Sequence, residues 1–210
     1  MDTMDTMKLL PRAAMAGEMV PVDYFRKMEL HEVCREGRTL EVDLGCGDGS
    51  FLMEMAKHYP ERDFLGVERL LGRVRKVCKK ITRRELNNAR VLRLDSRYVV
   101  EWLLPEASVS RLHLLCPDPW PKLRHQRRRL VQLDFLATVW KALAPGGEFL
   151  FMTDHEEYFG WAVEKIQKFG KFELLEWQED TFFYPKTGFQ VQWEAEGKQM
   201  WRVRGKKPIC

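Results

Sequence analysis

Short apolar segments that end in a carboxylate recur along this chain, and stretches with helical periodicity separate them. Residues 40–43, 63–68 and 89–95 have this form, and residues 148–154 repeat it further on. Strands that alternate with helices build a parallel sheet, in which the carboxyl ends of the strands meet at one edge. The pattern predicts an α/β fold with a Rossmann-like, mostly parallel sheet of seven strands and helices on both faces.

Glycines follow the first of these segments, where the chain must turn before the next helix. Gly45, Gly47 and Gly49 allow a sharp turn and close approach to a ligand, and apolar residues at helical spacing begin at Phe51. A strand, a glycine-rich turn and a helix in this order form a nucleotide-binding unit. Such a turn alone is a weak signal, so the residues around it must identify the ligand.

Three acidic side chains are expected to gather around this turn. Asp43, Glu68 and Asp95 end consecutive strands, and an acid about twenty residues after the glycines commonly accepts hydrogen bonds from ribose hydroxyls. Each acid alone would also suit a helix cap or a surface charge. Together they repel a pyrophosphate and favour a cationic ligand that carries adenosine, which fits S-adenosyl-L-methionine (SAM).

A proline-rich loop follows the apolar run at residues 112–115. Prolines at 117, 119 and 121 cannot continue a strand, so the chain leaves the sheet as a stiff loop that carries Asp118 and Trp120. The basic residues of positions 122–129 come directly after it. A lone acid beside a dense positive patch suits chemistry on a polyanion. A turn ahead of a solvated helix is the simpler interpretation, and Trp120 fits either base stacking or packing.

The length of 210 residues fits one domain with a short appendage. Residues 1–22 lack a clear hydrophobic period, which predicts a flexible N-terminal arm and leaves residues 23–210 as a single domain. The net charge is only +4, but basic residues cluster within positions 69–84, 122–129 and 198–207. Clustering of this kind indicates a phosphate-bearing partner.

The five cysteines are scattered and odd in number, and none of them forms a Cys-x-x-Cys pair. Neither a disulfide framework nor a metal site is therefore expected, and reduced thiols suit a cytoplasmic protein. The amino terminus has no apolar core of the kind found in signal peptides, and no apolar run is long enough to span a bilayer. The sequence predicts no membrane partner and leaves both a monomer and a homodimer open.

The proline loop and the basic residues after it form a long and unusual motif. Residues 117–129 read Pro-Asp-Pro-Trp-Pro-Lys-x-Arg-His-x-x-Arg-Arg, which resembles the signature of bacterial tRNA (guanine-N7-)-methyltransferases, the TrmB family. The resemblance extends from about Leu40 to Arg204 and includes the glycine turn and Pro145-Gly146-Gly147. It implies a SAM-dependent methyltransferase fold and methyl transfer to N7 of a guanine in the variable loop of tRNA.

The resemblance also implies roles for individual residues. Asp118 would lie at the reacting centre as the catalytic residue. The residues that would bind the cofactor are Asp43, Gly45, Gly47, Glu68, Asp95 and Asp118. The residues that would contact tRNA are Lys122, Arg124, His125, Arg127, Arg128, Asp154, Thr187, Phe189 and Gln190. The whole basic run as far as Arg129 is expected to bind phosphates.

Gln190 departs from the family pattern, because the family usually has Glu at this place. Three other functions stay open: a methyltransferase that acts on an exocyclic amine, an NAD-dependent oxidoreductase, and a tRNA-binding protein without catalysis. The Asp118-Pro119-Trp120 loop partly matches the first of these. The three acids and the glycine spacing disfavour the second, and the presence of every carboxylate disfavours the third.

Overall fold

The computed structural model describes residues 14–177 and 182–209. A sheet of eight strands forms the centre of this part of the protein. The strands are β1 (Glu18–Met19), β2 (Leu40–Leu44), β3 (Asp63–Val67), β4 (Ala89–Leu92), β5 (Val109–Leu115), β6 (Leu143–Thr153), β7 (Glu173–Leu175) and β8 (Trp201–Lys206). Their order across the sheet is β1-β4-β3-β2-β5-β6-β8-β7. β8 runs antiparallel to both of its neighbours, and the other pairs are parallel. The predicted fold class is confirmed.

Helices connect the strands and cover both faces of the sheet. They are α1 (Leu30–Val33), α2 (Ser50–His58), α3 (Leu71–Arg83), α4 (Ser96–Tyr98), α5 (Leu133–Ala142), α6 (Glu156–Phe169) and α7 (Gly188–Ala195). A π-helical turn at Val99–Leu103 continues α4, and a 3₁₀ helix spans Leu123–Arg128 after the proline loop.

Alternate residues of the central strands point to opposite faces, and each face packs on its own helices. In β5, Leu112 and Leu114 join the apolar cluster of α5 and α6, whereas Leu115 joins the cluster of α2 and α3. Every residue of β2 and β3 is buried. Apolar surface removed from water contributes roughly 25 cal/mol per Å² to stability. The sheet is therefore a firm support for the loops at its edge.

The sheet has one strand more than the sequence predicts. β1 pairs in parallel with β4, through Glu18 opposite Val91 and Met19 opposite Leu92, and the Met19 side chain is buried. Two residues are too few to show hydrophobic alternation, so the pattern does not reveal them. Residues 1–13 of the predicted arm lie outside the described residues, and the flexibility of the arm stays a prediction.

The Pro145-Gly146-Gly147 segment lies inside β6. In the sequence it follows apolar residues at helical spacing, and a proline with glycines in that position is typical of a helix end. α5 ends earlier, at Ala142, and the register between β5 and β6 shifts across the segment. A Cβ on Gly147 would lie 2.8 Å from the carbonyl oxygens of Ala144 and Val109, so only glycine fits there. The proline and the two glycines therefore belong to an irregular strand rather than to a helix end.

Among the described residues, no helix combines the length and hydrophobicity that crossing a bilayer requires. The same part of the chain has no group of three or more His, Cys, Asp or Glu side chains placed to hold a metal ion. Cys34, Cys46, Cys78 and Cys116 form no disulfide bonds with one another. Cys210 lies outside the described residues.

Candidate functional site

A cleft of about 220 Å³ opens at the carboxyl edge of the sheet, where β2 and β5 end. Its wall consists of the glycine turn, the start of α2, one side chain of α3 and the first turns of α7. The lining residues are Asp43, Gly45, Cys46, Gly47, Asp48, Ser50, Phe51, Arg73, Leu115, Thr187, Gly188, Phe189 and Gln192. The glycine turn and the first residues of α7 are far apart in sequence, and they meet at this cleft.

The glycine turn has the backbone geometry that its composition predicts. Gly45 and Gly49 have φ angles of 75° and 76°, in the left-handed region that favours glycine. A Cβ on Gly45 would meet no atom within 4 Å, so this residue faces open space where a ligand can approach the backbone. A Cβ on Gly49 would instead come within 2.9 Å of Val77, so α3 packs closely against the turn.

Asp43 and Glu68 form a pair of buried carboxylates beside the cleft. The two residues are 4% and 5% exposed. Burial, reinforced by the negative charge of Glu68, raises the pKa of the Asp43 carboxyl to about 7. A positive charge in the cleft would offset both effects, so this pair favours a cationic ligand.

Arg73 connects the acid pair to the opposite wall of the cleft. Its guanidinium lies 3.6 Å from one Glu68 carboxylate oxygen and 5.9 Å from the centre of the Phe189 ring. The other Glu68 oxygen accepts a hydrogen bond of 2.7 Å from the backbone N–H of Leu70, just before α3. A ligand hydroxyl that bonds to Glu68 would therefore share an oxygen with Arg73 or with this backbone group.

Asp95 lies at the same edge of the sheet, after β4. It is exposed, and it caps α4 by accepting hydrogen bonds from the backbone N–H groups of Arg97 at 2.9 Å and Tyr98 at 3.1 Å. Both bonds use the same carboxylate oxygen, so the second oxygen takes no part in the cap. Asp95 is thus a helix cap, and this role is compatible with contact to a ligand.

The proline loop after β5 contains strained backbone on both sides of Asp118. Cys116 and Trp120 have positive φ angles of 53° and 44°, which residues with side chains rarely adopt. The N–H of Cys116 donates to the carbonyl oxygen of Met152 on β6 at 2.7 Å, so the loop begins within the sheet. Asp118 itself is exposed.

The 3₁₀ helix and the residue before it present cationic side chains to solvent. The exposed members are Lys122, Arg124, Arg127 and Arg128. The His125 ring meets the Trp120 ring edge to face, with centroids 5.9 Å apart, and the Arg128 guanidinium lies 5.0 Å from the Trp120 centroid. Trp120 therefore packs against the basic segment, and its stacking on a base stays a prediction.

Arg129 contradicts the expectation that the whole basic run binds phosphates. Its side chain is 1% exposed, and its Nε donates a hydrogen bond of 2.9 Å to the carbonyl oxygen of Pro119. A buried guanidinium cannot reach a phosphate, so the prediction is wrong for this residue. Burial here depends on α6, which packs over Arg129 from a later part of the chain, and no local pattern reveals it.

Two aromatic residues just before α7, Phe183 and Tyr184, pack onto α2 and the sheet. The Tyr184 hydroxyl hydrogen-bonds His113 of β5 at 2.8 Å, and the Phe183 ring stacks on His58 of α2 with centroids 3.9 Å apart. The Tyr184 ring also contacts Phe51, with centroids 4.8 Å apart. These contacts hold the start of α7 against the wall of the cleft.

Thr187 begins α7 and joins it to the proline loop. Its hydroxyl oxygen accepts a hydrogen bond of 3.0 Å from the N–H of Gln190, and its side chain hydrogen-bonds the Cys116 thiol. Burial, together with the negative charge of Asp154, raises the pKa of Cys116 to about 12. The thiol therefore stays protonated near neutral pH and is a poor nucleophile.

Two of the predicted tRNA contacts already have protein partners. A carboxylate oxygen of Asp154 lies 3.6 Å from Nζ of Lys198. Gln190 is 2% exposed, and its amide nitrogen donates to Glu194 at 2.7 Å. Gln190 thus points into the protein, and the α7 side chains at the cleft are Phe189 and Gln192.

Only some of the predicted residues line the cleft. Those that line it are Asp43, Gly45, Gly47, Thr187 and Phe189. Glu68 contacts the lining residue Arg73, whereas Asp95 and Asp118 lie elsewhere on the same edge. The lining side chains that were not predicted as site residues are Cys46, Asp48, Ser50, Phe51, Arg73, Leu115 and Gln192. Arg73 could have been predicted from the sequence, because it lies in the first turn of the helix that follows Glu68 and is therefore near the same edge of the sheet.

Comparison with known proteins gives a match to one family model and to several named relatives. The family model is described as a putative methyltransferase and matches residues 37–203. A tRNA (guanine-N(7)-)-methyltransferase from Chlorobium phaeobacteroides is 34% identical over 176 residues, which cover 82% of this chain and 84% of that protein. The protein of the same name from Agrobacterium fabrum is 33% identical over 166 residues, which cover 77% of this chain and 71% of that protein. For the Thermotoga maritima relative, the identity is 30% and the coverage is 90% of this chain but 61% of that protein.

Solved structures with low sequence identity share the fold. The 16S rRNA methyltransferase KamB superposes with a TM-score of 0.66 at 16% identity, over 92% of this chain and 99% of that chain. A SAM-dependent O-methyltransferase from Thermotoga maritima superposes with a TM-score of 0.55 at 16% identity, over 82% of this chain and 60% of that chain. Identity at this level shows the fold alone.

Proposed function

Because the chain belongs to the tRNA (guanine-N(7)-)-methyltransferase family, we propose that it methylates N7 of a guanine in tRNA and uses SAM as the methyl donor. The observation that carries the proposal is the cleft at the carboxyl edge of the sheet. A buried acid pair lies beside it, and a stiff loop with an exposed carboxylate and a cationic surface lies on the same edge.

The residues at the cleft fit SAM by charge and by shape. Asp43 has a pKa of about 7, because it is buried beside Glu68, and a cation would lower it again. Glu68 supplies carboxylate oxygens of the kind that accept hydrogen bonds from ribose hydroxyls. Gly45 leaves open space beside the backbone. Asp95 would contribute its second carboxylate oxygen from the next part of the edge.

Because guanine N7 carries a lone pair and no proton, no residue of this chain has to act as a general base. SAM, when bound, would supply the methyl group for this lone pair, and the guanine would then carry the positive charge that the sulfur had carried. Asp118 would stabilise that charge and help to hold the base, and the prolines on both sides of it stiffen its loop. The chain therefore contributes position and electrostatic field rather than proton transfer.

The exposed cationic surface would hold the tRNA backbone. Lys122, Arg124, Arg127 and Arg128 would bind phosphates, with His125 beside them. At the cleft, Thr187 and Phe189 would contact the guanine region. Contact from Asp154 and Gln190 would require these side chains to leave Lys198 and Glu194. The Phe189 ring is 44% exposed and stacks on Trp193 with centroids 5.4 Å apart, which suits stacking on a base.

Two finer points belong to the same proposal. The resemblance of residues 117–129 supports a guanine in the variable loop of tRNA as the target. The free thiols support a cytoplasmic location. Both a monomer and a homodimer are compatible with a site that one chain provides.

Incubation of the purified protein with bulk tRNA and methyl-labelled SAM, followed by nucleoside analysis, tests the proposal. The expected product is labelled 7-methylguanosine, and mapping of the labelled tRNA should place it in the variable loop. Label in a base methylated on its exocyclic amine would instead support the alternative methyltransferase. Absence of label from every nucleoside, with SAM bound in calorimetry, would overturn the proposed function.

A further inference from the structure

Arg129 ends the basic run but has the opposite environment from its neighbours. Arg127 and Arg128 are exposed, whereas Arg129 is 1% exposed. Burial of a guanidinium is unfavourable unless its N–H groups find partners inside the protein. The partners of Arg129 therefore indicate what this position does.

The first partner is the proline loop. Nε of Arg129 donates a hydrogen bond of 2.9 Å to the carbonyl oxygen of Pro119, the residue directly after Asp118. The loop needs support, because Cys116 and Trp120 on either side both have positive φ angles. A hydrogen bond from a charged donor is stronger than one between neutral groups. The hydrogen bond from Arg129 to Pro119 therefore fixes the backbone next to the Asp118 side chain.

The other partners lie on α6. Nη2 of Arg129 lies 3.2 Å from a carboxylate oxygen of Glu157. The guanidinium centre lies 5.1 Å from the centroid of the Tyr158 ring and 5.3 Å from that of Trp161. α6 follows β6 after only two residues. Arg129 thus ties the loop after β5 to the helix after β6.

One N–H group of this side chain remains unused. Among the described residues, Nη1 of Arg129 is buried and has no hydrogen-bond partner. An unpaired buried donor is destabilising, so an apolar side chain of similar length would pack at least as well here. Stability alone does not account for an arginine here, whereas the directed bond to Pro119 does.

We propose that Arg129 is a positioning residue, which holds the Pro119 carbonyl and thereby sets Asp118 for methyl transfer, and that it binds no phosphate. The methyl-transfer part rests on the proposed function. The contact between Arg129 and the loop is independent of it.

Two substitutions of the buried residue test this inference, Arg129→Met and Arg129→Lys. The comparison variant is Arg127→Gln, which changes an exposed neighbour. In Arg129→Met, the single-turnover methylation rate at saturating tRNA should fall by roughly 10- to 100-fold, because the loop loses its anchor. The dissociation constant for tRNA should stay within about twofold, with an unchanged salt dependence. Arg129→Lys keeps one charged donor and should recover part of the rate. Arg127→Gln should weaken tRNA binding and lower the salt slope by about one.

Trp161→Phe is the matched control for general destabilisation. Trp161 packs on the Arg129 guanidinium, and its Nε1 donates to the carbonyl oxygen of Val131 at 2.9 Å, away from the proline loop. This variant should lower Tm and keep the wild-type rate well below Tm. The inference is overturned if Arg129→Met also loses only Tm, or if it lowers the salt slope as Arg127→Gln does.

Hydrogen exchange separates failure of this inference from failure of the proposed function. In Arg129→Met, the amides that flank the loop should exchange faster than in the wild type, while those of β5 stay unchanged, whether or not tRNA is methylated. These amides are Cys116, which donates to the carbonyl oxygen of Met152 at 2.7 Å, and His125, which donates to that of Lys122 at 2.7 Å. Unchanged exchange at both amides contradicts the inference even in an active enzyme. A wild-type protein that methylates no tRNA overturns the proposed function, and with it the methyl-transfer part of the inference.

Discussion

Asp43 is a carboxyl group that ionises with difficulty in the folded protein. Burial, and then the charge of Glu68, raises its pKa from 3.8 to about 7. Between these two pH values the folded state keeps a proton that the unfolded chain has already released. The contribution of Asp43 to stability therefore falls as the pH rises through this window, and it is constant above it.

Asp43→Asn should accordingly stabilise the free protein more at pH 8 than at pH 5. Asparagine does not ionise, so the free energy of unfolding of the variant, relative to wild type, should rise by about 3 kcal/mol between the two pH values. Urea unfolding of both proteins at each pH measures the difference. An equal difference at pH 5 and pH 8 would contradict the raised pKa.

Asp118→Asn tests the electrostatic role of the exposed acid in the proline loop. The amide keeps the size of the side chain but removes the charge that would stabilise the cationic product guanine, so the single-turnover rate should fall by roughly 100-fold or more. Binding of tRNA, measured by filter retention, should be unchanged. Asp134→Asn removes an exposed acid on α5, 66% exposed at its side chain, and serves as the control. Normal turnover in Asp118→Asn would remove Asp118 from the mechanism.

Residue types that satisfy a local backbone requirement are predictable from the sequence. Gly45 occupies a left-handed turn, and Asp43 lies where a strand ends at the predicted edge, so both positions follow from short-range pattern. Arg129 and Gln190 are different, because α6 and Glu194 decide their environments. A chain segment does not show which of its polar side chains another element will cover.

At the scale of elements, α7 is the one that the sequence describes least well. Residues 182–190 combine aromatic residues with a proline and a glycine, a composition that is typical of a loop, yet a helix begins at Gly188. The Thr187 cap starts it, and the Gln190 amide then donates to Glu194 one turn later. Side-chain bonds within this helix, rather than an apolar stripe, support it, and hydrophobic periodicity does not detect such a helix.

Gln190→Glu, which introduces the usual residue of the family, should destabilise α7. The new carboxylate would face Glu194 at the distance where Gln190 now donates, and like charges four residues apart cost roughly 0.2–0.5 kcal/mol even at exposed sites. Tm and kcat/KM should both fall, and Glu194→Gln in the same chain should recover them by restoring a donor. Additive effects in the double variant would show that the two residues are not coupled.

At the scale of the molecule, the parallel strands from β4 to β6 direct their carboxyl ends to one edge. This arrangement was predictable, because strands that alternate with helices leave few other topologies. The edge strand β1 and the contact between the proline loop and α6 were not predictable, since one is too short to leave a pattern and the other is long-range. The cationic 3₁₀ helix lies on the same edge as the cleft, so under the proposed function tRNA and the methyl donor would approach from one side.

The tRNA affinity of the whole protein should fall steeply with salt. Each phosphate neutralised by a cation contributes up to about 0.9 to the slope of log affinity against log salt. The exposed cations Lys122, Arg124, Arg127 and Arg128 therefore set an expected contribution of about three to four. Fluorescence anisotropy with labelled tRNA from 50 to 300 mM salt measures it. If replacing all four by glutamine leaves the slope as it was, the tRNA binds another surface.

The position of β8 between β6 and β7 has a consequence for biosynthesis. β7 leaves the ribosome before β8 but can join the sheet only after it, because β8 pairs with both. Until residues 201–206 have been synthesised, one edge of β6 has unpaired backbone N–H and C=O groups. These groups can pair with other nascent chains. Premature termination shortly after α7 would consequently yield an aggregation-prone polypeptide, although such a fragment contains every residue assigned here to methyl transfer.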